Sequence, residues 1–494
     1  MGEEQAVLDY FFSNSDKPVF ALKNMPAAVQ SYFYMGVSRF PGMRERFVKM
    51  LQEKGCLEAV AKAVEGGAKI QEAIKPLNDF SAEKNAQIFF EFGHKSAAEG
   101  SSIFFVSEEN PIYATEIQQD FYFPMTTMEL STRYSKKFGI DRVYWGPELM
   151  KTEFANEAKE VISRNLELYE NGFELLMQRL QEQREKGDLP EKVSALDSLR
   201  FLIPIATHTA VILGGNTRSV IEHFRKLLGC EDNFVQEYAK ACIAEASKIM
   251  PEYFAGLKAD AAVVEREKRL KALGKGLFGK KFSPVKEDVK MFLDLPTEQI
   301  ALAQILYPYC NATLEEVLGK VNGFSKKEKE ETFNAATLGR QNRANPTRAF
   351  ETRPIVFEIE SPWALWKDFK RNRMNLRFHQ PMRGKSGYAM PELVKESPIE
   401  KDYQKAMEKT SELIEKVFQK YGGVLSKTVA AQGNKKRYLL CMGARQLTVL
   451  AELRTSGEGD KGYRRIASKM IELAKEKNPA LFRHINDNYK KAQA

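Results

Sequence analysis

The chain has 494 residues, 43% hydrophobic and 29% charged, with a formal net charge of +9. That length supports two or three domains with proper cores, and the composition is that of an ordinary soluble protein. No apolar run approaches the roughly 18–20 residues of a membrane span, so no membrane partner is expected. The acidic start, MGEEQAVLDYFF, lacks the basic opening of an export signal, and a cytoplasmic location is expected. The five Cys, at 56, 230, 242, 310 and 441, are scattered without a CxxC pair, which argues against a zinc site or a disulfide framework. The positive charge suits nucleic acid and phosphate-bearing small molecules alike. Only 266–281 is a concentrated basic run, and it reads as a solvated linker before it reads as a nucleic-acid patch.

In chain order, residues 1–80 carry apolar residues at three–four spacing and read as helices. SSIFFVSE, after residue 100, reads as a strand. A long helix is expected over 147–186, rich in strong formers and ending on Gly. Another is expected over 191–213, broken by Gly214-Gly215, with Asn216 capping a further helix at 217–229. Helix continues over 233–270, and 271–285 reads as a basic Gly- and Pro-bearing linker. Helices are expected at 286–294, 297–309, 313–322 and 326–338. PIVFEIE then reads as a strand, and Trp363 to Met374 as a helix.

The chemistry concentrates in Glu129-x-Ser131-x-Arg133-Tyr134. Spacing of two in an extended chain puts Glu129, Ser131 and Arg133 on one face. An acceptor, a hydroxyl and a guanidinium fork can there meet one polar ligand, and Arg suits phosphate through its planar paired donors. A surface ion pair with a turn serine is the plainer alternative. Upstream stand Gly93-His94-Lys95-Ser96-Ala97-Ala98-Glu99 and Gln118. Downstream stand Arg200 before Ile203-Pro204, Asn216-Thr217-Arg218, and His223. Capping is the plain role for Asn216, and core packing the plain role for His223.

In this order the set resembles the flavin-dependent thymidylate synthases, with Gly-His-x-Ser-x-x-Glu, a Gln before Arg-His-Arg, Glu-x-Ser-x-Arg-Tyr and an Asn-x-Arg helix. Two departures stand out: Phe121-Tyr122-Phe123 in place of Arg-His-Arg, and Leu227-Leu228 in place of a terminal Arg. A second, fainter copy follows. Arg371-Asn372-Arg373 stands at the Arg-His-Arg place, and Arg383 follows Arg373 by the same spacing that separates Phe123 from Arg133. That copy has Asp368 for the Gln, His379 for the Glu and Pro381 for the Ser. Gly443, Arg445, Arg454 and Lys427 stand at the Asn, the Arg, the terminal Arg and the Arg200 positions.

The resemblance implies an α/β (α+β) fold of two tandem domains, each a mixed sheet packed with long helices, over 1–270 and 286–494. It implies methylation of dUMP to dTMP with FAD, NADPH and methylenetetrahydrofolate. By the same resemblance Arg454 is the catalytic-site arginine. Arg371, Arg373, Asn216, Arg218, His223 and Arg445 hold cofactor. Gln118, Glu129, Ser131, Arg133, Arg200 and Arg383 hold substrate. No metal is implied. The family's single-domain members are tetramers with sites between chains, so a tandem chain implies a homodimer. The losses in the two copies are complementary, and a hybrid interface between them assembles one working site. Two alternatives stay open: a flavin enzyme acting on another pyrimidine nucleotide or an RNA uridine, and a non-catalytic nucleotide- or nucleic-acid-binding protein.

Overall fold

A computed structural model describes all residues except 1, 38–41, 68, 122–124, 135–137, 184–190, 280, 341–345, 458–459 and 492–494. Tyr122 and Phe123, which stand in the Arg-His-Arg place, lie outside the described residues. The architecture is mixed α/β. Its described strands are β1 (Ser102–Pro111), β2 (Thr126–Glu129), β3 (His208–Asn216), β4 (Val289–Leu293), β5 (Ile355–Pro362), β6 (Leu376–His379) and β7 (Lys435–Met442). They form a three-stranded sheet, order β1-β3-β2, and a four-stranded sheet, order β4-β5-β7-β6.

The chain divides into two compact units. One comprises Met1–Val106, Phe121–Met128 and Ile212–Asp260; the other comprises Ser107–Asp120, Glu129–Val211 and Ala261–Ala494. The first unit holds a helical bundle whose core joins Val7, Phe11, Phe33, Phe47, Leu51 and Leu77. Its sheet portion brings Gly214 against the Ile103 carbonyl. A Cβ at Gly214 would sit 2.4 Å from that oxygen, so only Gly lets the two strands approach there.

The second unit holds the four-stranded sheet. β5 lies antiparallel between β4 and β7, with Val289 opposite Ile359 and Ile355 opposite Met442. One face buries Val356, Leu376, Phe378, Leu439 and Cys441 against helices that carry Leu302, Leu306, Val317 and Val321. These helices run Thr297–Leu306 and Leu314–Asn322, and a third, Lys326–Thr337, adds Ala335 and Ala336 to the same core; all three lie close to expectation. The last two begin on Thr313 and Ser325, each in a capping box with Glu three residues on.

Three expectations are corrected. The helix expected over 191–213 stops at Leu199; Pro204 ends helical geometry and HTAVILGGN runs on as β3. Burial along β3 alternates at first, as a sheet requires. The helix expected at 286–294 is β4, where Val289 and Met291 are buried and Lys290 is not. The linker expected from 271 is helix as far as Phe278, in a helix begun at Ala261 whose Leu270 and Gly274 are buried. Lys, Leu and Ala outweigh two glycines there.

Candidate functional site

In the second unit, groups from the first copy of the motif meet groups from the second. Arg133 leaves the chain just after β2, where Ser131 Oγ accepts a hydrogen bond from the Arg133 backbone N–H at 3.2 Å. Its guanidinium donates from Nε and Nη2 to the two carboxylate oxygens of Asp197, at 2.7 and 2.9 Å. Burial works against the Arg133 charge, but Asp197 more than offsets it and holds the group charged. Asp197 lies on the helix Glu191–Leu199, one turn before Arg200.

Arg200 is 2% exposed and sits among three carboxylates: Asp460 at 3.0 Å, Asp368 at 3.5 Å and Asp197 at 3.7 Å. Burial raises the Asp460 carboxyl above its usual range; Arg200 opposes the shift, and Asp197 and Asp368 add to it. Asp368 and Arg371 come from the helix Trp363–Lys370 and its C-terminal turn, with Arg371 Nη1 3.6 Å from Asp368. Arg454 ends the helix Ala444–Arg454 and lies over the Tyr463 ring, 5.4 Å from its centre. Burial raises the Tyr463 phenol, and that group feels Asp368, Arg133, Arg454 and Asp460 at once.

The charges nearly balance. Arg133, Arg200 and Arg371 face Asp197, Asp368 and Asp460. Arg454 is the surplus: it makes no ion pair with a described residue, and its Nε is buried without a hydrogen-bond partner. A buried unmatched donor costs free energy unless something accepts from it.

Glu129, the first residue of the motif, points elsewhere. It lies 2.7 Å from Lys367 Nζ and 3.2 Å from Lys370 Nζ, and all three are buried. Burial would raise its carboxyl, but the two ammoniums hold it at about 2. Lys370 shares that one anion with Lys367, and burial pushes it down to about 8. Gln118 Nε2 donates to Asn110 Oδ1 at 2.7 Å. Arg383 is 2% exposed and bound to Glu415 by two contacts of 2.6 and 3.1 Å. Glu116 pairs with Lys436, which is held against the rings of Trp363 and Trp366, and His379 Nε2 lies 3.5 Å from the same carboxylate. Gln118, Glu129 and Arg383 therefore have protein partners, and they do not join the Arg133–Arg200–Arg454 group.

In the first unit, Asn216 is the cap expected of it, with its side-chain oxygen accepting from the Ser219 N–H at 2.8 Å. Arg218 is paired with Glu99. His223 is buried, its ring edge-on to Phe121 at 5.1 Å. Arg373 and Arg445 are exposed. The sequence reading missed Asp197, Asp460 and Tyr463. Asp197 carries one signal: it stands three residues before Arg200 on a helix, on the same face. Asp460 and Tyr463 carry none.

The sequence profile of the thymidylate synthase complementing protein family matches residues 49–252 and again 299–480. The chain belongs to this family. The double match agrees with tandem copies of the family fold. Among curated relatives, a UPF0159 protein of Chlamydia pneumoniae is 24% identical over 97% of this chain and 93% of its own length. One from Chlamydia muridarum is 24% identical over 96% and 92%. One from Thermoplasma acidophilum is 22% identical over 58% of each chain. No described helix is long and apolar enough to cross a membrane.

Proposed function

We propose that this member of the family methylates dUMP with flavin, NADPH and methylenetetrahydrofolate, at one site pooled from both copies. The supporting observation is the convergence of Arg133 and Arg200 from the first copy with Asp368, Arg371 and Arg454 from the second. Neither copy holds such a set alone. The counterpart groups Gln118 and Arg383 are paired with Asn110 and Glu415 and do not join this set.

In this reading Arg454, half-buried with an unmatched Nε, accepts the substrate through the pyrimidine or its phosphate. A fixed cation beside the ring also stabilises negative charge that develops on it. Arg133 and Arg200 are held rigid by carboxylates and position the floor of the site. Arg371 and Arg373, close together after the helix Trp363–Lys370 and open to solvent, fit the diphosphate of a flavin. Asn216 and Arg218 are already engaged and fit it less well. The flavin, when bound, supplies the redox step.

The same reading extends to a cytoplasmic homodimer. The first unit leaves Phe104, Val106, Met128 and Ile212 exposed on strands of the three-stranded sheet. Light scattering at twice 56.3 kDa checks it.

A second reading is favoured by one observation. Asp368 stands where the family has Gln, and three carboxylates already neutralise the cations that a phosphate would seek. This reading keeps the flavin and changes the pyrimidine. Arg454→Ala tests the main reading: substrate binding is lost while flavin binding persists. Turnover that survives that change intact overturns the site assignment. Reoxidation of reduced flavin by a different pyrimidine nucleotide, and not by dUMP, selects the second reading.

A further inference from the structure

Most of the basic run at 266–281 lies on the helix Ala261–Phe278 of the second unit, and none of it joins the Arg133–Arg200–Arg454 group. The inner face of this helix is apolar. Leu270 and Gly274 are buried, and Leu273, Leu277 and Phe278 pack against the core. The outer face is cationic. Lys268, Lys271 and Lys275 recur at three and four residues, so they stand in one row on the exposed side, with Arg269 exposed beside them. At 1.5 Å per residue the row is about 10 Å long. Ala272 and Gly276, also exposed, leave it unobstructed. Glu265, at the start of the row, is the exposed carboxylate of this helix.

Other lysines of this unit are matched. On the helix Glu400–Tyr421, Lys409, Lys416 and Lys420 face Glu160, Glu157 and Glu153. Lys268, Arg269 and Lys275 have no ion-pair partner among the described residues. A cation in the last turn offsets the helix dipole, which accounts for Lys275 but not for Lys268 and Lys271 in mid-helix. Gly339 lies close against Ala262, so exposed Arg340 extends the positive surface past the start of the helix.

We infer that this face is a docking surface for duplex DNA, held by its phosphates without regard to sequence. Charge complementarity selects a polyanion, and duplex DNA offers one phosphate per about 3.4 Å of axis on each strand. The rest of the helix narrows the class. Its one aromatic ring, Phe278, packs on the core and is not free to stack unpaired bases. Its leucines are committed to the core and cannot enter a lipid surface. It holds no Ser, Thr, Asn or Gln to meet the 2′-hydroxyls that mark RNA. The inference is independent of the dUMP reading.

Fluorescence anisotropy of a labelled duplex of mixed sequence, titrated with the full chain, tests it. Binding at about micromolar concentration is expected in 50 mM salt. Three phosphate contacts give a salt slope of about −2.7, so affinity falls about fortyfold between 50 and 200 mM. The triple variant Lys268→Gln, Lys271→Gln, Lys275→Gln loses tenfold or more in affinity and most of the slope, whereas Arg at the same three positions keeps both. Each single Lys→Gln change lowers the slope by about 0.9, which holds the test open if the triple variant does not fold. Lys409→Gln, Lys416→Gln, Lys420→Gln lowers the net charge equally and leaves binding unchanged, and so does Arg454→Ala. No binding below about 100 μM in 50 mM salt overturns the proposal. So does an equal loss in both lysine triples, a preference for single-stranded DNA or duplex RNA, or capture by phosphatidylserine vesicles in place of the duplex.

Discussion

Replacing Glu129 by Gln removes one carboxylate from a site that holds two ammoniums. Lys367 and Lys370 are 3% and 2% exposed in their side chains, and both rely on that anion. Breaking a buried ion pair from one side costs about 3–5 kcal/mol, because the remaining charge stays buried without compensation. Here two charges of the same sign remain, so the upper end of that range is expected. Some of the loss is recovered if Lys370, already down at about 8, releases its proton near neutral pH. The assay is urea denaturation of wild type and Glu129→Gln followed by circular dichroism. The midpoint falls for the transition of the unit that carries the four-stranded sheet. That loss shrinks as pH is raised from 7 to 9, because Lys370 then neutralises. A loss below about 1 kcal/mol at pH 7 would show that solvent reaches the three groups and would refute the reasoning.

The same carboxylate gives a pH dependence. Its folded value of about 2 lies below the ordinary 4.5, so its stabilising contribution is present above about 4.5 and is lost as pH falls toward 2. Acid titration followed by tryptophan fluorescence checks this, and Glu129→Gln flattens the curve over that window. Leu439→Ala, in the buried face of β7, costs about 2–5 kcal/mol through transfer and cavity terms, read from denaturant midpoints. Burial raises the thiols of Cys242 and Cys310 to about 12 and Cys441 higher still. Thiol titration of the native protein therefore modifies Cys230 first, and unfolding releases all five. Asp197→Asn leaves Arg133 with a neutral partner in a buried position, and a drop of about 2–4 kcal/mol is expected in the same denaturation assay.

Much of the architecture is legible in the residues. The β-branched run PIVFEIE places β5, although nearly all of its residues are buried rather than alternate ones. The helices expected at 313–322 and 326–338 form close to those bounds, and Asn216 caps the helix after β3. The misread elements share a cause. HTAVILGG and VKMFL are short apolar runs, in which helix and strand periodicity cannot be told apart. Pro204 and the pairing with β5 decide them. The site is less legible. Arg133, Arg200, Arg371 and Arg454 are found by their motif positions, but a motif does not say what a side chain touches. The carboxylates that neutralise them come from 197, 368 and 460, up to 260 residues from Arg200. Only the folded chain brings these together. Glu129 shows the same limit: spacing of two predicts a shared face with Arg133, yet the turn after β2 sends it to Lys367 and Lys370 instead.

The central claim is that one nucleotide site draws on both copies of the motif. Titration of dUMP into the flavin-loaded protein tests it most directly, with one variant from each copy. Arg133→Lys keeps the charge but loses the paired donors to Asp197, and Arg454→Ala removes the surplus cation. The account predicts saturable dUMP binding in the wild type and weaker binding, by about tenfold or more, in both variants, with flavin retained in each. Binding that depends on one copy's residue and ignores the other's would contradict it.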